Sequence, residues 1–277
     1  LESSLMPSHP PSTAPDFLLS RAGGSIRTQG AKTSFIDVWD AVEALDSGKA
    51  SIIVGAMPFD RDAPAALTVP ETVIREPGPL EPPAYYRIGE GSHLSAQVSG
   101  YDPEPHEHLR RIEAAVATIN DSLLDKVVLA RAVDIAFDPP VDARLVAARL
   151  IDLSRTRDGF IADLTPAGKH GHMIVGSSPE LLIKREGLNI SSYPLAGSAA
   201  RVFDDPAADA AAADALANSV KDLDEHAYVV EHIRSVLAPL CEKLEIPDRP
   251  MLTKTNEMWH LATPITGTLR EPAPNAL

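Results

Sequence analysis

The chain of 277 residues carries 39 acidic against 25 basic side chains, a formal net charge of −14. This balance argues against nucleic acid or an anionic membrane as a partner, although a small anionic substrate remains compatible with a local site. The single cysteine, Cys241, excludes a disulfide within the chain and suits a reducing compartment. The sequence shows neither an apolar run long enough to cross a membrane nor a signal peptide. We therefore expect a soluble, cytoplasmic protein that is a monomer.

The first part of the chain predicts a tail followed by short elements. Residues 1–15 are rich in serine and proline, which is typical of a disordered tail ahead of a single domain spanning 16–277. Apolar spacing predicts a helix over 35–45, and the proline-dense segment 59–83 predicts a long irregular excursion. Strands are predicted at 17–19, 25–28 and 51–57.

From residue 107 onward the pattern alternates clearly between helices and strands. Amphipathic helices are predicted at 107–122, 141–153 and 207–244, and Pro239 should kink or split the last of these. Strands are predicted at 125–137, 159–164, 172–175, 180–184 and 188–193. Paired strands followed by long helices predict an α+β protein with helices packed on a mostly antiparallel sheet.

The stretch 171–201 contains the clearest candidate site. A strand, a turn with its own hydroxyls and a second strand place Glu180 at the mouth of a strand. The small-residue loop 194–198 follows, and a ligand could approach its backbone closely. A carboxylate on a rigid strand end beside such a loop suits a general acid next to an anionic substrate. An ordinary surface hairpin with an exposed Glu180 is the alternative.

Three further features could carry chemistry. Lys126 lies within a β-branched run, where partial desolvation favours the neutral amine of a base, but the solvated end of an edge strand is the commoner setting. Asp222 and Glu225 share a helix face beside its apolar stripe, and two such carboxylates favour Mg²⁺. A solvated helix face is the alternative for that pair. For His260, in an apolar run, a core histidine bonded to backbone is the default.

Several site types are not indicated. The sequence has no HExxH motif and no cysteine pair, so a zinc site is not predicted. It also has no nucleophile elbow, no phosphate-binding loop and no dinucleotide fingerprint. Hydrolase triads and nucleotide cofactors are therefore not predicted.

The joint order of five motifs resembles the chorismate-utilising enzyme family, which includes isochorismate synthase, anthranilate synthase component I, aminodeoxychorismate synthase component I and salicylate synthase. The motifs are KVVLAR at 126–131, VGSSPELL at 175–182, PLAGS at 194–198, KDxxEH at 221–226 and HL at 260–261. The resemblance implies two packed, mostly antiparallel sheets flanked by helices. It also implies that family members continue past the region matching Leu277, so the expected fold is incomplete at the C-terminus. There they supply a second Mg²⁺-binding glutamate and basic residues that hold the enolpyruvyl carboxylate.

What the resemblance implies for activity is the Mg²⁺-dependent isomerisation of chorismate to isochorismate. Lys126 would take a proton from water attacking C2, and Glu180 would give a proton to the departing C4 hydroxyl. Mg²⁺ on Glu225, with Asp222 acting through water, would hold the ring carboxylate. The residues implied for substrate binding are Ala196, Gly197, Ser198 and His260.

Two positions choose among the members of the family. Members that use water carry a lysine where Lys126 stands, whereas ammonia users typically carry glutamine. Ala196 stands where aminodeoxychorismate enzymes often have a lysine. Isochorismate synthase is therefore favoured, while salicylate synthase, which goes on to eliminate pyruvate, and a non-catalytic binding module stay open. The downstream pathway, whether siderophore, menaquinone or another, also stays open.

Overall fold

The computed structural model describes residues 15–81 and 95–277. The predicted tail lies outside these residues except for Pro15, which is buried and accepts a hydrogen bond from Arg144 Nε at 2.8 Å. The helices are α1 (Val38–Asp46), α2 (Pro105–Asp121), α3 (Ala143–Leu153), α4 (Pro206–Ala217) and α5 (Val220–Leu237). The strands are β1 (Phe17–Arg21), β2 (Gly24–Gln29), β3 (Thr33–Phe35), β4 (Val54–Ala56), β5 (Ala66–Val69), β6 (Thr72–Glu76), β7 (Ala96–Asp102), β8 (Ala132–Phe137), β9 (Gly159–Asp163), β10 (Met173–Gly176), β11 (Leu181–Glu186), β12 (Asn189–Tyr193), β13 (Leu195–Ala200), β14 (Cys241–Glu245), β15 (Met251–Lys254), β16 (Met258–Ala262) and β17 (Ile265–Leu269).

The strands pair antiparallel throughout the described residues. Their hydrogen bonds define five sheets, where the resemblance implied two. The sheets have the orders β10-β9-β1-β2-β6, β11-β12-β17-β14, β13-β16-β15, β3-β5-β4 and β7-β8. The predicted α+β class with mostly antiparallel strands is confirmed. Within the described residues, no helix combines the length and apolarity needed to cross a membrane.

Four of the five described helices begin where the sequence supplies a side-chain cap for the free backbone N–H groups of the first turn, and α2 begins at a proline without one. Asp205 accepts from the N–H groups of Ala207 and Ala208 at the start of α4, where proline takes the first helical position. The Ser219 hydroxyl accepts from Asp222 N and donates to Asp222 Oδ2 at the start of α5. Capping aspartates therefore fix the starts of α1, α3 and α4, and a serine fixes that of α5.

The predicted single helix over 207–244 is wrong in its extent. Asn218 ends α4 and donates its side-chain N–H to the Asp214 carbonyl, and Ser219 then starts α5. These two polar residues satisfy the backbone groups of both helix ends locally, so the chain changes direction between them. The second helix ends at Leu237, and Pro239 lies in a 3₁₀ turn that leads into β14 instead of prolonging the helix.

The predicted strand 125–137 is also too long, because regular structure begins only at β8. The partner strand β7 ends opposite Ala132 at Asp102, and the next residue, Pro103, has no N–H to donate to a ladder. Residues 124–131 therefore run without a strand partner in the described part of the chain. Lys126 consequently lies in an extended, irregular segment and not within a strand.

Three smaller predictions also need correction. Strands β5 and β6 lie inside the segment 59–83, which was expected to be irregular, and β4 occupies only the centre of the predicted strand 51–57. The expected loop 194–198 is largely the start of β13, with an irregular register described below. Short strands of this kind lack a periodic signal, because tertiary pairing and not local pattern makes them strands.

Two strands change sheet together next to α5. The chain passes from β12 to β13 at Pro194, and from β16 to β17 at Thr263–Pro264, while β12 pairs with β17 and β13 with β16. Pro194 and Pro264 lie at these two transitions, and neither has a backbone N–H to donate to a neighbouring strand. The strand pairing is therefore interrupted there, and two separate sheets result. The buried side chains around this break include Leu261, Ala262, Thr263 and Ile265. We call this break the corner.

Candidate active site

Glu180 lies immediately before β11, at the strand mouth where the sequence placed it. Its Oε1 accepts a hydrogen bond from Leu195 N at 3.3 Å. Arg21, at the end of β1, donates to the carbonyl oxygens of Ser178 at 2.7 Å and of Glu180 itself at 2.9 Å. The backbone that carries this carboxylate is therefore fixed from a neighbouring sheet, while the carboxylate meets a backbone donor of the corner.

Lys126 faces α5 across a short gap. Its Nζ lies 3.4 Å from Glu225 Oε1 and 3.4 Å from the Glu225 carbonyl oxygen. The Lys126 side chain retains 23% of its exposure, so it is largely desolvated even though it is not in a strand. A cavity of about 370 Å³ is lined by both Lys126 and Glu180, together with residues of α5 such as Tyr228. The predicted base and acid therefore share one cavity.

The paired carboxylates on α5 already carry a cation between them. Lys221 Nζ lies 2.7 Å from Glu225 Oε2 and 3.2 Å from Asp222 Oδ1. The hydrogen bond from Lys221 and the positive charge of Lys126 hold the pKa of Glu225 below its usual value, and burial opposes them. The two carboxylates are close enough for one positive charge to contact both.

These carboxylates could hold a divalent cation. Their hard oxygen donors suit Mg²⁺, which commonly binds through one or two carboxylates and keeps several water ligands. Among residues 15–81 and 95–277, no group of three or more His, Cys, Asp or Glu side chains is arranged to hold a metal ion. The described donors therefore fit a metal that is partly hydrated.

The backbone of 196–198 approaches the same helix. The register of β13 against β16 shifts between Leu195 and Ser198, and Gly197 there has a φ of +83°. A Cβ on Gly197 would stand 3.1 Å from Asp222 Cβ and 3.1 Å from Leu261 Cδ1. Glycine is therefore required here both by the left-handed conformation and by the close contact with α5.

His260 is bonded to a side chain, not to the backbone partner that was its default expectation. On β16, its Nδ1 lies 2.7 Å from Ser198 Oγ, directly across the β13–β16 ladder. Burial lowers the pKa of His260, and the nearby negative charge of Glu180 opposes that shift. The imidazole thus links Ser198 to the surroundings of Glu180.

All eight predicted site residues belong to one connected set of contacts. Lys126 contacts Glu225, the helix turn of Glu225 and Asp222 contacts Gly197, and Ser198 contacts His260. Glu180 joins them through the N–H of Leu195, the residue immediately before Ala196. The residues brought together are Lys126, Glu180, Ala196, Gly197, Ser198, Asp222, Glu225 and His260.

Sequence reasoning missed other residues that shape the site. Lys221 and His226 belong to the KDxxEH motif but were given no role in the predicted site, yet Lys221 bridges the carboxylates and His226 is 2% exposed. The spacing of His226 from Leu223 and Val230, three residues after one and four before the other, places it on the apolar stripe and could have revealed its burial. Arg21 and Thr263 carried no signal, because their roles depend on contacts between distant parts of the chain.

Comparisons with known proteins identify the family of this chain. Residues 89–275 match the family model described as chorismate binding enzyme. A Mycobacterium tuberculosis protein named "Putative isochorismate synthase MenF" is 43% identical over 95% of this chain and 70% of its own length. Isochorismate synthase DhbC of Bacillus subtilis is 36% identical over 85% of this chain and 59% of its own length.

Solved structures confirm the fold that the resemblance implied. The crystal structure of DhbC from Bacillus anthracis superimposes with a TM-score of 0.79 at 29% identity, covering 94% of this chain and 69% of that one. The family match extends from before α2 to the last residues of the chain and includes all eight site residues. This chain belongs to the chorismate-binding enzyme family.

Proposed function

We propose that this chain is an isochorismate synthase, which converts chorismate to isochorismate by exchanging a hydroxyl at C4 for one at C2. Relatives named for this reaction support the proposal, and the two described above are 43% and 36% identical to this chain over the aligned residues. The observation that carries it is the placement of Lys126 and Glu180 on one cavity beside the paired carboxylates of α5.

The two side chains would divide the proton transfers of the reaction. In the reactive state Lys126 would be neutral and Glu180 protonated, the reverse of the charged forms that act on their neighbours above. Lys126 then takes a proton from the water that forms the new C2–O bond. The ring double bonds shift as the C4–O bond breaks, and protonated Glu180 gives its proton to the departing hydroxyl, which leaves as water. One water is consumed and one released, so the reaction is an isomerisation, and the protonation states of the pair must be reset before the next turnover.

The α5 carboxylates would hold Mg²⁺ during this reaction. Asp222 Oδ1 and Glu225 Oε2 point to the position now taken by the Lys221 ammonium, which stands in for a cation. Bound there, Mg²⁺ would offset the negative charge of the substrate ring carboxylate. The chain itself would contribute Ser198 and the backbone of Gly197 as donors to that carboxylate, with His260 fixing the Ser198 hydroxyl.

The test is to incubate the complete gene product that carries this chain with chorismate and Mg²⁺, without ammonia, and to identify the products by NMR. We expect an equilibrating mixture of chorismate and isochorismate with no pyruvate. Glu180→Gln, which keeps the shape but not the acid, should reduce that conversion by about 10²–10⁴-fold.

Two other outcomes would replace the proposal. Salicylate together with pyruvate would assign the salicylate synthase reaction, in which elimination follows isochorismate formation. Folded protein that binds chorismate but leaves it unchanged would assign the binding-module function.

A further inference from the structure

The corner contains a bulge beside the proposed acid. Leu195 pairs with Ala262 and Ser198 pairs with His260, so β13 uses one residue more than β16 between the same two rungs. A bulge of this kind leaves backbone groups outside the ladder and redirects the strand. The Ala196 carbonyl is such a group, and it must find its hydrogen bond elsewhere.

A buried histidine of α5 provides that bond. His226 Nδ1 lies 3.0 Å from the Ala196 carbonyl oxygen, and His226 Nε2 lies 2.7 Å from Thr263 Oγ1. Because a carbonyl oxygen can only accept, Nδ1 carries the hydrogen, and Nε2 of the neutral ring accepts from the Thr263 hydroxyl. Both hydrogen-bond partners of the ring, a backbone carbonyl and a hydroxyl, are uncharged.

Thr263 closes the other side of the same bend. Its backbone N–H donates to the Pro194 carbonyl oxygen at 3.3 Å. The carbonyls immediately before and after Leu195 are therefore both held, one by Thr263 and the other by His226. Leu195 lies between them and donates its own N–H to Glu180 Oε1.

We propose that His226 and Thr263 are positioning residues for the isochorismate reaction, which orient the Leu195 N–H toward Glu180 and Gly197 toward the α5 carboxylates. Neither residue touches the reacting atoms. The threonine hydroxyl fixes the histidine tautomer, the histidine fixes the bulge, and the bulge fixes the acid. This inference rests on the proposed function for its kinetic consequence, but its structural content can be measured without turnover.

The structural measurement is the tautomer of His226. With ¹⁵N-labelled histidine, we expect one ring, identified by its loss in His226→Asn, to carry hydrogen on Nδ1 and none on Nε2 at neutral pH. In Thr263→Val the Nε2 resonance of this ring should move, because the variant keeps the side-chain shape but loses the hydroxyl donor. A ring protonated on Nε2 in the unsubstituted chain would overturn the proposal even if the chain proved fully active.

The kinetic measurement separates positioning from mere packing. Thr263→Val should lower kcat by about 10–100-fold, as loss of a supporting contact one residue removed from the chemistry commonly does, while changing KM for chorismate less. His226→Asn, whose amide can still donate near the Nδ1 position, should retain more activity than His226→Ala. Thr266→Val, an exposed threonine on β17, is the matched control and should leave kcat unchanged.

The outcomes distinguish failure of the positioning inference from failure of the proposed function. If His226→Ala does not fold, Thr263→Val still tests the inference, because only one hydroxyl is lost. Unchanged kcat in folded Thr263→Val would overturn it. If the unsubstituted chain converts no chorismate, the proposed function fails, and the tautomer spectrum alone then decides the arrangement of His226 and Thr263.

Discussion

The two proposed catalytic side chains are supported in opposite ways. Glu180 is exposed and lies immediately before a strand; its backbone is held by Arg21, and its carboxylate meets the corner, where Leu261, Thr263 and Ile265 are each at most 1% exposed. Lys126 stands on an irregular segment, and none of the described residues 95–137 is buried. The two polar contacts of Lys126 described above are both with Glu225.

This contrast shows that position can be fixed either by packing or by charge. Glu180 is held by hydrogen bonds from residues of the sheets, so changes to those residues should alter stability and activity together. The base is placed mainly by a carboxylate partner, so changes there should alter activity with little effect on stability. The following substitutions test that separation.

The largest effect is expected for Lys126→Ala. Loss of the base should reduce conversion of chorismate by about 10²–10⁴-fold. The midpoint of urea unfolding should move little, because the segment around Lys126 contributes no buried side chain. Lys49→Ala, at an exposed lysine paired with Glu43, is the control and should match the unsubstituted chain in both measurements. A large loss of stability in Lys126→Ala would mean that the base segment is packed after all.

An intermediate and mixed effect is expected for Arg21→Met. The variant leaves the Ser178 and Glu180 carbonyls without their donor and Asp158 without its ion pair at 3.4 Å. We expect the free energy of unfolding to fall by about 1–2 kcal/mol and kcat to fall with it, measured by urea titration and NMR assay. The control is Arg75→Met on β6, where the arginine is exposed. A loss of stability without any loss of kcat would show that the backbone anchor does not position the acid.

The smallest effect is expected for Asp209→Asn and concerns pH. Asp209 bonds Arg201 Nη2 at 2.8 Å, Val202 N at 3.0 Å and Trp259 Nε1 at 2.9 Å, behind the β13–β16 pair. The Arg201 hydrogen bond, aided by the other two donors, holds the pKa of Asp209 well below its usual value although burial opposes it. A carboxyl with a depressed folded pKa stabilises above its unfolded pKa of about 4 and loses that contribution as the pH falls further.

The unsubstituted chain should therefore lose stability as the pH is lowered from about 5 to about 3, and Asp209→Asn should be less stable at neutral pH with a shallower decline. Thermal unfolding across that range measures both slopes. Asp214→Asn, at an exposed aspartate of the same helix, should keep the slope of the unsubstituted chain. Identical slopes in all three proteins would remove Asp209 as a source of the pH dependence.

The sequence was sufficient for the parts of this molecule that depend on local pattern. Apolar periodicity located α2 and α3, and motif order identified the family and the residues that gather at the site. It could not place the ends of elements that depend on distant partners. Lys126 was assigned to a strand because its neighbours are β-branched, but a strand needs a second strand, and β7 ends too early to supply one.

The same limit explains the misread helix. The alanines of α4 and the apolar stripe of α5 form one continuous pattern, so the break depended on the capping chemistry of Asn218 and Ser219. The bulge at Gly197 was likewise visible only as small residues. Its function as a turn toward α5 follows from a register that two separate strands define together.

The Lys221 ammonium between Asp222 and Glu225 has a consequence for how the site would be filled. With 76% of its side chain exposed, Lys221 can leave without disturbing the core. A divalent cation that binds these carboxylates would therefore displace the Lys221 ammonium into solvent. Its measured binding free energy would be the difference between its own interaction with these oxygens and that of Lys221. The protein would also fold without the metal, because Lys221 and Lys126 already offset the negative charge of these carboxylates.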